Sequence, residues 1–423
     1  MKWHPGGLRA PLAAVLVALA AGSPAASPPT VMLPRQALGP RELAVIVNDL
    51  DPTSGKIAAY YAARRHIPRE NIIHVRLPPQ RSQLSPGEFR PIYAAAQSAT
   101  PARVQAYALT WAAPYRVGCM SITTAFAVGY DETYCAKGCE ATRPSPYFAS
   151  ASHSPYTDFK LRPTMALAGT DFQQTKALID RGVASDDTHP VGTGYLVNTS
   201  DRARSVRAVT FNATLRALRT AVNLERVDAD YIENRPDVLF YVTGLASVPK
   251  IKTNHYLPGA VADHLTSTGG QLTDSRQMSA LRWLEAGATG SYGTVVEPCN
   301  FPAKFPRPGI LIASYLDGAT LIEAYWKSVQ MPGQGIFIGE PLARPYGGYE
   351  LIRRQDTMVL ELFGLGPGRY QLQAAESAVG PYRTVSVFTK PGVGSVEAAL
   401  PDKASAYYRV TAAPHRADEA PFP

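Results

Sequence analysis

Gly287-Ala288-Thr289-Gly290-Ser291-Tyr292-Gly293-Thr294-Val295-Val296-Glu297-Pro298-Cys299-Asn300, with Ile336-Phe337-Ile338-Gly339-Glu340-Pro341-Leu342 further on, is the stretch that decides the fold class. Small and β-branched residues in short uninterrupted runs read as two buried strands among helices. The first run ends in Glu-Pro-Cys. It therefore carries a carboxylate and a thiol just past the carboxyl end of a strand, where open α/β sheets bind their ligands.

Upstream the same grammar recurs. Leu43-Ala44-Val45-Ile46-Val47 is a continuous apolar strand, stopped by Asn48-Asp49-Leu50-Asp51-Pro52-Thr53-Ser54. Thr53 or Ser54 is positioned to cap a helix carrying Ile57, Tyr60, Tyr61 and Arg64, which ends at Ile67-Pro68, and Asn71 to Leu77 reads as the next strand. Further strands are expected at 104–112, 194–197 and 237–244, with helices at 170–181, 205–218, 277–286, 310–315 and 319–329. Strands alternating with helices predict an α/β core: a mostly parallel sheet with helices on both faces. From Thr357 the period changes to two, with strands at 358–362, 370–374, 384–388 and 406–410 between Gly/Pro turns, so a small C-terminal antiparallel β-domain is expected.

Composition agrees with a folded chain: 423 residues, 45% apolar and 18% charged, suffice for one major and one minor domain. Lys2 and Arg9 precede the apolar run Pro11 to Ala21, which is too short to span a bilayer, and small residues follow. The organisation expected is a signal peptide over 1–26, a linker over 27–41, the α/β domain over 42–350, the β-domain over 351–413 and a tail over 414–423. The mature protein is then exported, periplasmic or extracellular, without a transmembrane segment. Its basic residues are scattered rather than clustered with aromatics, which argues against a nucleic-acid partner.

The chain holds four cysteines, Cys119, Cys135, Cys139 and Cys299. In an oxidising compartment an even count favours two disulfides, in any of three pairings. Cys135-Ala136-Lys137-Gly138-Cys139 lacks a second Cys/His pair at matching spacing, so no metal site is assigned to it.

The motifs Val47-Asn48-Asp49-Leu50-Asp51-Pro52, Ile67-Pro68, Asp263-His264-Leu265-Thr266-Ser267, Gly293-Thr294-Val295-Val296-Glu297-Pro298 and Gly339-Glu340-Pro341-Leu342 follow one another in an order that resembles an uncharacterised family of exported bacterial proteins. That family is associated with exosortase and its PEP-CTERM substrates. A more distant resemblance is to the gingipain-like and clostripain-like cysteine peptidases of caspase-type fold, through the strand order and the closing segment Leu321-Ile322-Glu323-Ala324-Tyr325 to Pro341. In those enzymes a His after one core strand activates a Cys after the next. Here Gly244-Leu245-Ala246-Ser247 supplies no His and Asp263-His264-Leu265-Thr266-Ser267 no Cys, so the standard dyad is absent.

Candidate catalytic residues are therefore Asp263, His264, Ser267, Glu297 and Cys299: an acid, a base, a hydroxyl, a second carboxylate and a thiol. Asn48, Asp49 and Asp51 are candidate ligand-binding residues, whose oxygens suit a hard cation such as Ca2+, although helix capping also accounts for Asp51 and Ser54. No other cofactor is implied. Arg116, Arg204 and Arg207 are weighed as carboxylate binders against surface ion pairing. Two functions compete: a hydrolase with a non-standard site, and a catalytically silent envelope protein that binds a peptide or polysaccharide. Both assume that polar side chains from separate crossover units gather along one rim of the sheet.

Overall fold

The computed structural model describes Met1, residues 28–401 and residues 405–414. The expected signal peptide and the end of the expected tail lie outside the described residues. The chain builds a ten-stranded sheet from β1 (Leu43–Asn48), β2 (Ile72–Val75), β3 (Ala106–Leu109), β4 (Thr164–Ala166), β5 (Thr193–Asn198), β6 (Asn223–Asp228), β7 (Val238–Thr243), β8 (Tyr256–His264), β9 (Gly290–Thr294) and β10 (Gly335–Gly339). Their order across the sheet is β6-β5-β7-β8-β9-β10-β4-β3-β1-β2.

Every neighbouring pair is parallel except β9 and β10, where Gly290 faces Gly339 and Thr294 faces Gly335. The two stretches that decide the fold class are thus side by side and antiparallel. They form a seam between two five-stranded parallel halves. Because the halves run in opposite directions, the carboxyl ends of β5, β7, β8 and β9 lie on one rim and those of β1, β3, β4 and β10 on the other. The expectation of a single rim is corrected here: Asn48 ends β1 and Asp49 and Asp51 follow it, on the rim opposite to Ser267 and Glu297.

Why the strands read as unbroken apolar runs is visible in β7, all six residues of which are buried. Phe240 points to Tyr315 in the helix Pro308–Leu316, while Tyr241 points the other way, onto Trp283 in the helix Leu281–Ala286. Helices therefore cover both faces, as expected. Burying each such side chain contributes about 1.5–3 kcal/mol.

Local chemistry sets the helix ends. Asp51, rather than Thr53 or Ser54, caps Pro52–Arg65 by accepting the Thr53 amide, with Pro52 at the first helical position. Ser54 instead accepts the Asn48 amide and bonds Thr110 Oγ1 at 2.6 Å. The helix expected over 205–218 opens as a 3-10 turn, Val206–Thr210, before the α-helix Phe211–Leu218. The tighter turn rotates Val209 out of the apolar face, leaving it 82% exposed.

The C-terminal β-unit has two sheets. Tyr349–Arg354, Thr357–Leu362 and Val396–Ala399 form one; Gly368–Ala375, Arg383–Lys390 and Tyr407–Ala412 form the other, and Leu360, Leu372, Ala398 and Tyr408 share one core between them. Thr30–Met32, inside the stretch expected as a linker, joins the second sheet as an edge strand parallel to Tyr407–Ala412. Lys390, 1% exposed, pairs with Asp317 of the core at 2.9 Å and ties the unit down.

Candidate cleft at the carboxyl ends of the second half

β8 carries Asp263 and His264 to its end, where the pleat sends them to opposite faces. His264 is buried on the Trp283 side. Trp283 Nε1 lies 2.9 Å from Nδ1 and Met278 O lies 3.1 Å from Nε2. An indole N–H only donates, so Nδ1 accepts and the proton sits on Nε2, which donates to the Met278 carbonyl. Both ring nitrogens are taken. Burial pushes the imidazole down to about 3, holding it neutral. His264 is thus a core residue in this arrangement, turned away from the other candidates.

Asp263 is buried on the opposite face, where Arg207 Nη1 lies 2.6 Å from Oδ1, close enough for an ion pair though not aligned as a hydrogen bond. Burial pushes the Asp263 carboxyl up and the Arg207 charge pulls it back. Arg207 also donates to the Thr243 and Pro306 carbonyls. It is an interior partner, not a surface one.

Three candidates do converge. Leu265, Thr266 and Ser267 leave β8 and run over the end of β9, a crossing so close that a Cβ on Gly293 would stand 2.5 Å from Gly270 N. Both glycines are required by that contact. Ser267 then faces Glu297 and Cys299 across a cleft of about 420 Å³, with Arg204, Asn300 and Cys139 completing the wall. Cys299 is bonded to Cys139 and Cys119 to Cys135, with Cα–Cα separations of 5.5 Å, so among the described residues no free thiol is present. The long 130–165 insertion is braced by both bridges.

The Glu297 carboxylate is half engaged by its own loop. Its Oε1 accepts the Cys299 amide at 2.8 Å, closing the turn in which Cys299 takes φ 57°. Its other carboxylate oxygen makes no hydrogen bond among the described residues. Arg204 donates to Thr266 Oγ1 at 3.1 Å and pairs with Asp201 at 2.7 Å. Its carbonyl would stand 1.9 Å from a Cβ on Gly244, so the backbone directly after β7 admits only glycine. Neither Ser267 Oγ nor Glu297 has a histidine within hydrogen-bond reach among the described residues. The cleft offers a hydroxyl, an amide, a guanidinium already paired with Asp201, a free carboxylate oxygen and a sulfur-braced wall. Among the described residues no hydrogen bond joins Ser267 Oγ to a histidine or a carboxylate, the pairing that would activate it as a nucleophile.

On the other rim each side chain of the acidic turn has one oxygen engaged. Asn48 Oδ1 accepts the Leu50 and Leu77 amides, Asp51 accepts Thr53 N, and Asp49 pairs with His74 at 2.7 Å. Among the described residues no group of three or more His, Cys, Asp and Glu is placed to hold a metal ion. Arg116 donates to Gln83. The cleft residues not singled out from the sequence, Thr266, Asn300 and Ala203, have no distinguishing spacing; only their adjacency to Ser267, Cys299 and Arg204 pointed to them.

No family model matches this chain and no curated protein sequence matches it. It is similar to a solved structure described as "Structure of Protease", with a TM-score of 0.37 and 10% identity, covering 85% of this chain and 97% of that one. No helix among the described residues is long and apolar enough to cross a membrane.

Proposed function

We propose that this chain is an exported binding protein on a peptidase-like α/β core, which holds a peptide segment in the cleft between Ser267 and Glu297 without cleaving it. The observation that carries the reading is that the groups nucleophilic chemistry needs are committed elsewhere: Cys299 to Cys139, and both nitrogens of His264 to Trp283 and Met278. What is left open in the cleft is recognition chemistry, with the unused oxygen of Glu297 complementary to a lysine or arginine side chain of the ligand. Two disulfides support an oxidising compartment, and the motif resemblance supports the envelope of an exosortase-carrying bacterium.

The test is fluorescence anisotropy with labelled basic, neutral and acidic peptides on the disulfide-intact protein. Basic peptides bind most tightly, and Glu297→Gln weakens them by roughly tenfold or more, the loss expected for one charge-assisted hydrogen bond. Cleavage of any peptide by the unmodified protein sinks the binding reading in favour of a hydrolase with a non-standard site. Equal affinity for acidic and basic peptides removes Glu297 from recognition.

A further inference from the structure

A second cavity, larger and chemically different, lies where the core meets the C-terminal β-unit. It measures about 730 Å³, the size of sites that take small organic molecules. Helix Phe211–Leu218 and the turn after it form one wall, and Phe363, Gly394 and Ser395 of the β-unit form the facing side. Leu215, Val222, Leu224, Leu316 and Phe363 make the lining largely apolar.

Two arginines also line this space. Arg216 and Arg219 are three residues apart, so they share a side of the helix end. Both are exposed, and among the described residues neither makes a hydrogen bond or an ion pair. Nearby arginines differ: Arg226 pairs with Asp228, and Arg344 with Asp187. The cavity lining contains no Asp or Glu. The two titratable rings of the lining are occupied: His189 has Nδ1 on Glu350 at 2.8 Å, Nε2 on the Gly347 carbonyl at 2.7 Å and its face stacked on Phe363, and Tyr346 donates its hydroxyl to the Pro190 carbonyl at 3.0 Å. The positive charge of Arg216 and Arg219 therefore has no counterpart within the site.

We infer that this cavity binds a small organic carboxylate with an apolar body, the carboxylate taken by Arg216 and Arg219 and the body lying against Leu215, Leu224 and Phe363. Guanidinium groups match a carboxylate through paired N–H donors. Because both the core and the β-unit line the cavity, an occupant is held by the two together. Binding at this site is independent of the cleft at Ser267.

Isothermal titration calorimetry on the disulfide-intact chain tests it, with octanoate and phenylacetate as probes and octylamine and inorganic phosphate as controls. Saturable binding of both carboxylates is expected, at least tenfold tighter than octylamine or phosphate. The double variant Arg216→Gln/Arg219→Gln weakens it at least tenfold. Arg202→Gln, an exposed arginine outside this cavity, leaves it unchanged. Circular dichroism melts confirm that the exposed substitutions leave the fold intact, and saturating octanoate raises the melting temperature of the unmodified chain but not of the double variant. The assignment fails if octylamine binds as well as octanoate, if phosphate competes equally, if the double variant binds like the parent, or if Arg202→Gln weakens binding to the same extent.

Discussion

Acid should loosen this protein through one ring. His264 is buried between Trp283 and Met278, where burial and the nearby Arg207 and Arg204 charges hold it at about 3, against the Met278 carbonyl, which favours protonation. In the unfolded chain an imidazole titrates near 6.5. The folded value is the lower one, so between these two pH values the unfolded state binds a proton that the folded state refuses. Stability from this group is complete above about pH 6.5 and is lost as pH falls toward 3. The loss amounts to about 2 kcal/mol at pH 5 and about 3 kcal/mol at pH 4. Carboxylates titrate in the same range, so the measurement is a difference: urea unfolding of the parent and of His264→Gln at pH 7, 6, 5 and 4. The variant is less stable at pH 7, because it forfeits packing and the Trp283 hydrogen bond, and the gap narrows by about 2 kcal/mol at pH 5. A gap constant to within about 0.5 kcal/mol from pH 7 to pH 5 would refute the assignment of His264 as a sealed, neutral core residue.

The Cys139–Cys299 bridge closes a separation of 160 residues, so Cys139→Ala/Cys299→Ala should lose about 2–5 kcal/mol in urea unfolding; an unchanged midpoint would show that the loop is restrained without it. Arg207→Met strands the buried Asp263 carboxylate and should cost about 3–5 kcal/mol, with much of it recovered in Arg207→Met/Asp263→Leu; a single-variant cost under about 1 kcal/mol would contradict a tight interior pair. Deleting residues 28–33 removes the edge strand over Tyr407–Ala412 and should destabilise the β-unit by roughly 2–4 kcal/mol, read as earlier proteolysis of residues 349–412; identical proteolysis would mean that the strand contributes nothing.

Much of the fold is legible in the sequence where one local signal dominates. β1 and β7 announce themselves because both faces are covered, so their residues run apolar almost without a break, as in Leu43–Val47 and Val238–Val242. β8 does not, because Pro258 and Gly259 interrupt its apolar run, and so Asp263 and His264 stand as candidate catalytic residues when they are sheet interior. β6 is hidden by its position: Asn223-Leu224-Glu225-Arg226-Val227-Asp228 carries three charges and no apolar run, as an edge strand can. Helix Pro86–Ala99 is unread despite its signature, Ser85-x-x-Glu88, which forms a full capping box. At the candidate site, Ser267, Glu297 and Cys299 are legible as residues that follow adjacent strands. The occupation of His264 is not, since its partner Trp283 stands 19 residues on and nothing local links them. Disulfide pairing is likewise a property of loops meeting in space.

The pairing of Thr30 with Tyr407 gives the molecule a late step in its assembly. A ribosome delivers Thr30 long before Tyr407, so every residue between them must exist before those few backbone groups can find each other. Contacts so remote in sequence close slowly. The Thr30–Met32 edge should therefore acquire amide protection late in a pulse-labelled refolding experiment, after the local hairpin of Gly368–Ala375 with Arg383–Lys390 in the same sheet.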